Sequence, residues 1–171
     1  MKTKKAKKIK IVIVDVDGVL TDGTIGYGNY NDDYRRFHVQ DGFGFVLLAK
    51  AGIKTAIITS KSSKAVQRRA KELKINMVCQ KVEKKLIAFN KILKKYKLKP
   101  EQACYIGDDL LDLAVLNVAG LSVSVPDACE DVQNSVDYVT QKNAGHGAVR
   151  QAIEFILKSQ NKWDDLVKKY S

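Results

Sequence analysis

The sequence predicts an α/β protein built on a doubly wound parallel sheet, and three observations carry that prediction. Apolar runs recur at residues 9–14, 54–58, 75–79, 103–106 and 121–125. Each has the length and composition of a strand covered on both faces. Segments with helical spacing lie between them. Strands alternating with helices of this kind imply βαβ units joined by right-handed crossovers, a Rossmann-like arrangement. The chain's 171 residues, 45% apolar and 29% charged, are enough for one domain with a sizeable core.

Residues 1–8 begin a lysine-rich stretch, "MKTKKAKKIK", with six lysines in its first ten positions. It leads directly into strand one without a separate apolar segment or cleavage site, so we read it as a solvated basic arm rather than a signal peptide. The main domain is expected over 9–159. Residues 23–39 break the alternation: two short aromatic and β-branched runs flank Asn29–Asp33, which reads as a β-hairpin interrupting the first crossover. Helices are expected at 43–51, 62–74, 84–96, 109–118 and 147–159. In 84–96, Leu86, Phe89, Ile92, Leu93 and Tyr96 form one stripe with lysines opposite. Residues 160–171 read as a docked helix or a tail entering a neighbour's crevice.

A net charge of +11 suits an anionic partner, either nucleic acid or a small phosphorylated acid. Beyond the arm the lysines are scattered, with no aromatic or Arg-rich stripe, which argues for a basic surface and against nucleic acid. No apolar run approaches the ~18 residues of a membrane span. Cys79, Cys104 and Cys129 are too few and too far apart for a zinc knuckle or a redox pair. Buried reduced thiols and a cytoplasmic location are the expectation.

The chemistry concentrates where strands end. "IVIVDVDGVLTDG" (11–23) places Asp15, Asp17 and Asp22 directly after a buried strand, and "YIGDDLLDL" (105–113) places Asp108, Asp109 and Asp112 after another. Acids within such a core would be costly. At the carboxyl ends of parallel strands they fall in the crevice where open α/β sheets bind ligands. If the two strands are adjacent, Asp15, Asp17 and Asp108 converge and require a hard cation, for which Mg²⁺ is suited. Asp is also a good helix N-cap, which would account for Asp109 or Asp112 but not for two acids two residues apart after a strand. Strand 54–58 ends in Thr59, Ser60 and Lys61 ahead of a helix, a natural phosphate cradle. Lys84 and Lys85 open the next helix, where cations oppose the helix dipole; each reads by itself as a surface lysine, or else as a group that neutralises a phosphate.

Taken together, Asp-x-Asp, then Thr/Ser, then Lys, then Gly-Asp-Asp resembles the haloacid dehalogenase (HAD) superfamily of phosphohydrolases across nearly the whole chain. "DVDGVLTDG", "FHVQDG" (37–42), "YIGDDLLDL" and "GHGAVR" (145–150) narrow the resemblance to the 3-deoxy-D-manno-octulosonate 8-phosphate (KDO 8-phosphate) phosphatases, a branch without a large cap domain. The resemblance implies an aspartyl-phosphate mechanism. Asp15 would be the nucleophile and Asp17 the general acid and base. Asp15, Asp108 and the backbone carbonyl of Asp17 would hold Mg²⁺. Thr59, Ser60 and Lys85 would bind phosphate, with Asp109 and Asp112 supporting. Gln40, Asp41, Lys61 and His146 are possible substrate contacts. The hairpin matches the element with which this branch builds homotetramers.

Two positions depart from the pattern. Ser60 and Lys61 stand where Gly-Arg is usual, so the planar guanidinium fork is lost, and His146 stands where Arg or Lys is common. Both lie where the sugar acid is expected to be read. A nonulosonic acid 9-phosphate phosphatase is therefore the closest alternative. A receiver-like phospho-acceptor module is an alternative of a different class, although Asp17 and the hairpin have no role in it.

Overall fold

The structure, a computed structural model, describes residues 1–28 and 33–170. Six strands form one sheet: β1 (Ile11–Val14), β4 (Lys54–Ile58), β5 (Met77–Cys79), β6 (Ala103–Ile106), β7 (Leu121–Ser124) and β8 (Tyr138–Val139). Their order is β5-β4-β1-β6-β7-β8, and every pairing is parallel. Taken in chain order, that is the 3-2-1-4-5-6 arrangement, in which the winding reverses at the first strand and leaves a crevice beyond its carboxyl end.

Strand β1 lies at the centre, and its alternation supplies both cores. Val12 and Val14 pack on one face beneath α2 (Val39–Lys50), α3 (Lys64–Glu72) and α7 (Ala148–Ser159), through Phe45, Leu48, Val66, Ile153 and Ile156. Ile11 and Ile13 pack on the other face beneath α4 (Lys85–Tyr96) and α5 (Leu113–Leu116), through Phe89, Ile92, Val115 and Leu116. The period of two along a strand thus serves two apolar layers. Between β1 and α2, β2 (Gly26–Tyr27) and β3 (Asp33–Tyr34) pair antiparallel as the expected hairpin. Most of the expected Asn29–Asp33 tip lies outside the described residues.

The chain departs from expectation mainly at its short elements. Residues 2–6 form a helical turn, α1 (Lys2–Ala6), rather than a wholly solvated arm. Ala6 is buried and the Lys5 ammonium lies 2.6 Å from the Asp137 carboxylate. The expected helix over 109–118 divides into a 3-10 turn (Leu110–Asp112) and α5. Helix α6 (Glu130–Ser135) and strand β8 lie in a stretch with no anticipated element. Within 160–171, α8 (Trp163–Val167) buries Leu166 against the sheet's first face. At the amino ends of β1, β4 and β6, an open cleft of about 770 Å³ is lined by Lys7, Lys8, Lys10, Lys97, Lys99 and Lys162. It lies at the end of the sheet opposite the aspartates.

Candidate active site

Strands β1 and β6 run in register, Val14 beside Ile106, so the residues that follow each emerge side by side. Asp15 leaves β1 first, its backbone N–H donating to the Ile106 carbonyl at 3.0 Å. Asp108 leaves β6 two residues after Ile106. One carboxylate oxygen from each of Asp15, Asp108 and Asp112 lies within 4.8 Å of the others. The convergence expected from sequence is present for Asp15 and Asp108. Two glycines permit it. Gly18 has φ +86°, and a Cβ there would lie 2.0 Å from the Asp108 carboxylate. A Cβ on Gly107 would lie 2.6 Å from Asp112. A side chain at either position would displace an acid.

Lys85 stands among these acids. Its side chain is buried, with Nζ 2.8 Å from Asp15 and 2.7 Å from Asp112. Lys84, the alternative, is exposed. Burial alone would lower the Lys85 pKa, but the two carboxylates outweigh it and the net shift is upward. Asp112 is fully buried and saturated. Its Oδ1 accepts from Lys85 and from the Tyr105 hydroxyl at 2.5 Å, and its Oδ2 accepts from the backbone N–H groups of Asp108 and Asp109. Asp112 therefore fixes Lys85 and the Asp108 turn. Asp109 is the N-cap, accepting from the Leu110 N–H at 2.7 Å.

The remaining acids are held in strained electrostatics. Burial raises the Asp15 pKa to about 6 against the opposing pull of Lys85. Burial, then the charges of Asp15 and Asp112, raise that of Asp108 to about 8. Asp108 Oδ1 is buried without a hydrogen-bond partner among the described residues. An orphaned carboxylate oxygen beside a second carboxylate fits a hard divalent cation, which would restore both to their ionised forms. Asp15 and Asp108 fit that role; Asp112 has no free oxygen for it.

Asp17 turns away from this cluster. Its carboxylate receives Arg35, with Nε 2.6 Å from Oδ1 and Nη2 3.3 Å from Oδ2. Arg35, which lies just after β3, went unrecognised in the sequence, where "YRRF" gives no sign of which Arg turns inward. Asp22 is engaged by Arg36 and by Thr24; hydrogen bonds from Thr24 and then Arg36 lower its pKa to about 2.

Thr59 is buried at the end of β4, the other neighbour of β1, and its hydroxyl accepts from the Lys61 N–H at 3.3 Å. Ser60 is half-buried and Lys61 exposed beside it. Lys61 and Ser62 face the hairpin residues Tyr27, Asp33 and Arg35 across a cavity of about 390 Å³. Gln40 and His146 are exposed, and His146 Nδ1 lies 2.9 Å from the Ala144 carbonyl. Asp41 corrects the expectation of a substrate contact. It is 1% exposed and accepts from the backbone N–H groups of Gly147 (3.3 Å) and Arg150 (2.7 Å). It is spent on the first turn of α7. Arg150 likewise points elsewhere, over the rings of Phe43 and Trp163.

Comparison with known proteins agrees with this geometry. A family model described as haloacid dehalogenase-like hydrolase matches residues 74–153. The chain is 42% identical to 3-deoxy-D-manno-octulosonate 8-phosphate phosphatase KdsC of Escherichia coli K12, over 94% of this chain and 86% of that protein. Its fold superposes with a TM-score of 0.97 on the Moraxella catarrhalis KDO 8-phosphate phosphatase in complex with magnesium ion, phosphate ion and KDO. Identity there is 44%, with 99% of this chain and 97% of that one covered. The cobalt-bound Haemophilus influenzae phosphatase matches with a TM-score of 0.90 and 38% identity over 92% of each chain. The shared sheet, the paired acidic loops and identity over nearly the full length of both chains make this a member of the KDO 8-phosphate phosphatase family of haloacid dehalogenase-like hydrolases.

Proposed function

We propose that this chain is a Mg²⁺-dependent phosphatase that hydrolyses the terminal phosphate of 3-deoxy-D-manno-octulosonate 8-phosphate through Asp15. The observation that supports it most is Lys85 bridging Asp15 and Asp112 at 2.8 and 2.7 Å, beside an unpartnered Asp108 oxygen. Phosphoryl transfer asks chiefly for positioning and charge neutralisation, and this arrangement offers both.

An Asp15 oxygen attacks phosphorus, forming an acyl phosphate as the bond from phosphorus to the sugar oxygen breaks. Asp17 delivers its proton to that departing oxygen. In the second step the Asp17 carboxylate removes a proton from water as the water oxygen attacks phosphorus, and the bond to Asp15 breaks to release inorganic phosphate. Lys85 and Thr59 hold the phosphoryl oxygens. Asp15, Asp108 and the Asp17 backbone carbonyl would hold Mg²⁺, which supplies charge neutralisation for the phosphate when bound.

The test is phosphate release from KDO 8-phosphate. Turnover is expected with Mg²⁺, and its loss on chelation. Asp15→Asn should abolish turnover while the protein stays folded, since uncatalysed monoester hydrolysis is among the slowest reactions known. An active Asp15→Asn protein would end the mechanism.

We further infer a cytoplasmic homotetramer assembled through the hairpin, where Tyr27 (opposite Asp33) and Tyr34 (opposite Gly26) leave an exposed aromatic ring on each face of the paired strands. A monomer by light scattering would contradict it.

A further inference from the structure

Asp17 and Arg35 form a contact that the mechanism above does not use. Arg35 has a side chain only 2% exposed, and its Nη1 also pairs with Asp33 of β3. A buried guanidinium is costly unless its charge is countered, and here two carboxylates lie against it, with Nε and Nη2 donating to Asp17 while Nη1 makes no hydrogen bond among the described residues. Arg36 also ties the hairpin to Asp22 at 3.1 Å, on the exposed side where an ion pair holds weakly. What Arg35 adds is direction. A two-point contact from a planar fork sets the plane of a carboxylate, whereas a single ammonium sets only its distance. Arg35 also borders the cavity between the hairpin and Lys61, an open space with room for the part of a substrate beyond its phosphate.

We propose that Arg35 is a positioning residue: its guanidinium fork fixes the plane of the Asp17 carboxylate, from a place on the wall of the cavity between the hairpin and Lys61, so that Asp17 meets the leaving oxygen of the substrate. The inference rests on the reading of Asp17 as the proton donor to that oxygen. It makes the hairpin a part of the proton-transfer machinery as well as a surface element. Without the fork, Asp17 remains in place on the loop after β1 but explores several orientations. Proton transfer is sensitive to such freedom, since a misplaced group can cost ~10²-fold in rate.

The experiment compares two substrates on the full-length protein with Mg²⁺. p-Nitrophenyl phosphate has a leaving group that departs without a proton, whereas a sugar phosphate has one that needs it. Arg35→Ala is expected to slow phosphoenzyme formation from the sugar phosphate by ~10- to 10²-fold in a single-turnover rapid-quench measurement, while the first-turnover burst of p-nitrophenol, which precedes the step in which Asp17 acts on water, keeps its rate. The latter also reports that the protein is folded. Arg35→Lys, with the charge but not the fork, should fall between wild type and Arg35→Ala on the sugar phosphate. An equal loss of the first-turnover rate on both substrates, or no loss on either, would overturn the positioning role. The split can be read on any alkyl phosphate the wild type accepts, so an error in the sugar's identity leaves it intact. A wild type active on p-nitrophenyl phosphate but on no alkyl phosphate would instead sink the functional reading, and the positioning role with it.

Discussion

Lys85 shares one ammonium between carboxylates that the chain supplies 70 and 27 residues away, Asp15 and Asp112. Removing it would leave two acids buried without a counter-charge. Lys85→Met is therefore expected to abolish turnover and to cost ~3 kcal/mol of stability, as breakage of a buried pair commonly does; urea unfolding of the metal-free protein measures it. At this scale the sequence was legible where an acid closely followed a buried run, as at Asp15 and Asp108, which converge; Asp17, expected beside them, turns to Arg35 instead. The sequence was silent where a role depends on a distant partner. Asp112 reads locally as a cap, and only the fold delivers Lys85 and Tyr105 to it. Arg35 and Arg36 are adjacent and alike in sequence, yet one is buried against Asp17 and the other is exposed.

Helix α7 depends on Asp41, whose carboxylate accepts two backbone N–H groups at its first turn from a distance of more than 100 residues. Asp41→Ala should destabilise the protein by ~1–2 kcal/mol, the usual cost of a lost helix cap. KM for the sugar phosphate should stay unchanged; a raised KM with intact stability would restore the substrate-contact reading. Strands and long helices were readable because their periodicity spans many residues, as in α4 and its Phe89–Ile92 stripe. Short elements were not. Strand β8 has two residues and so no period to detect, and α1 is a five-residue turn with lysine at three positions. Its turn is held instead by Lys5 against Asp137 and by Gln160, whose side-chain amide donates to the Ala6 and Ile9 carbonyls.

Across the whole molecule, stability, pH and magnesium are linked through the acid cluster. Folding raises Asp15 to about 6 and Asp108 to about 8, from an ordinary 3.8. A carboxyl raised in the native state binds its proton more tightly there than in the unfolded chain. Its contribution is thus favourable at low pH and is lost as pH rises through the native value. In the metal-free protein that loss falls between about pH 4 and 8. A divalent cation needs the ionised acids, so its affinity grows over the upper part of the same window. The rise in Tm on adding Mg²⁺ in place of a chelator should therefore be small at pH 5.5 and larger at pH 8. A shift independent of pH would remove Asp108 from the metal site. The sequence foretold the parallel sheet and its acid-bearing edge because both follow from strand order. The coupling of pH to metal arises from burial, which only the assembled core creates.

The lysine cleft at the amino ends of β1, β4 and β6 lies a full strand length from the aspartates, while Lys85 is sealed inside. A polyanionic support, which needs many cations close together, would consequently seize the molecule by its back. Enzyme adsorbed on a carboxylated bead should present its reactive mouth outward, with turnover largely preserved.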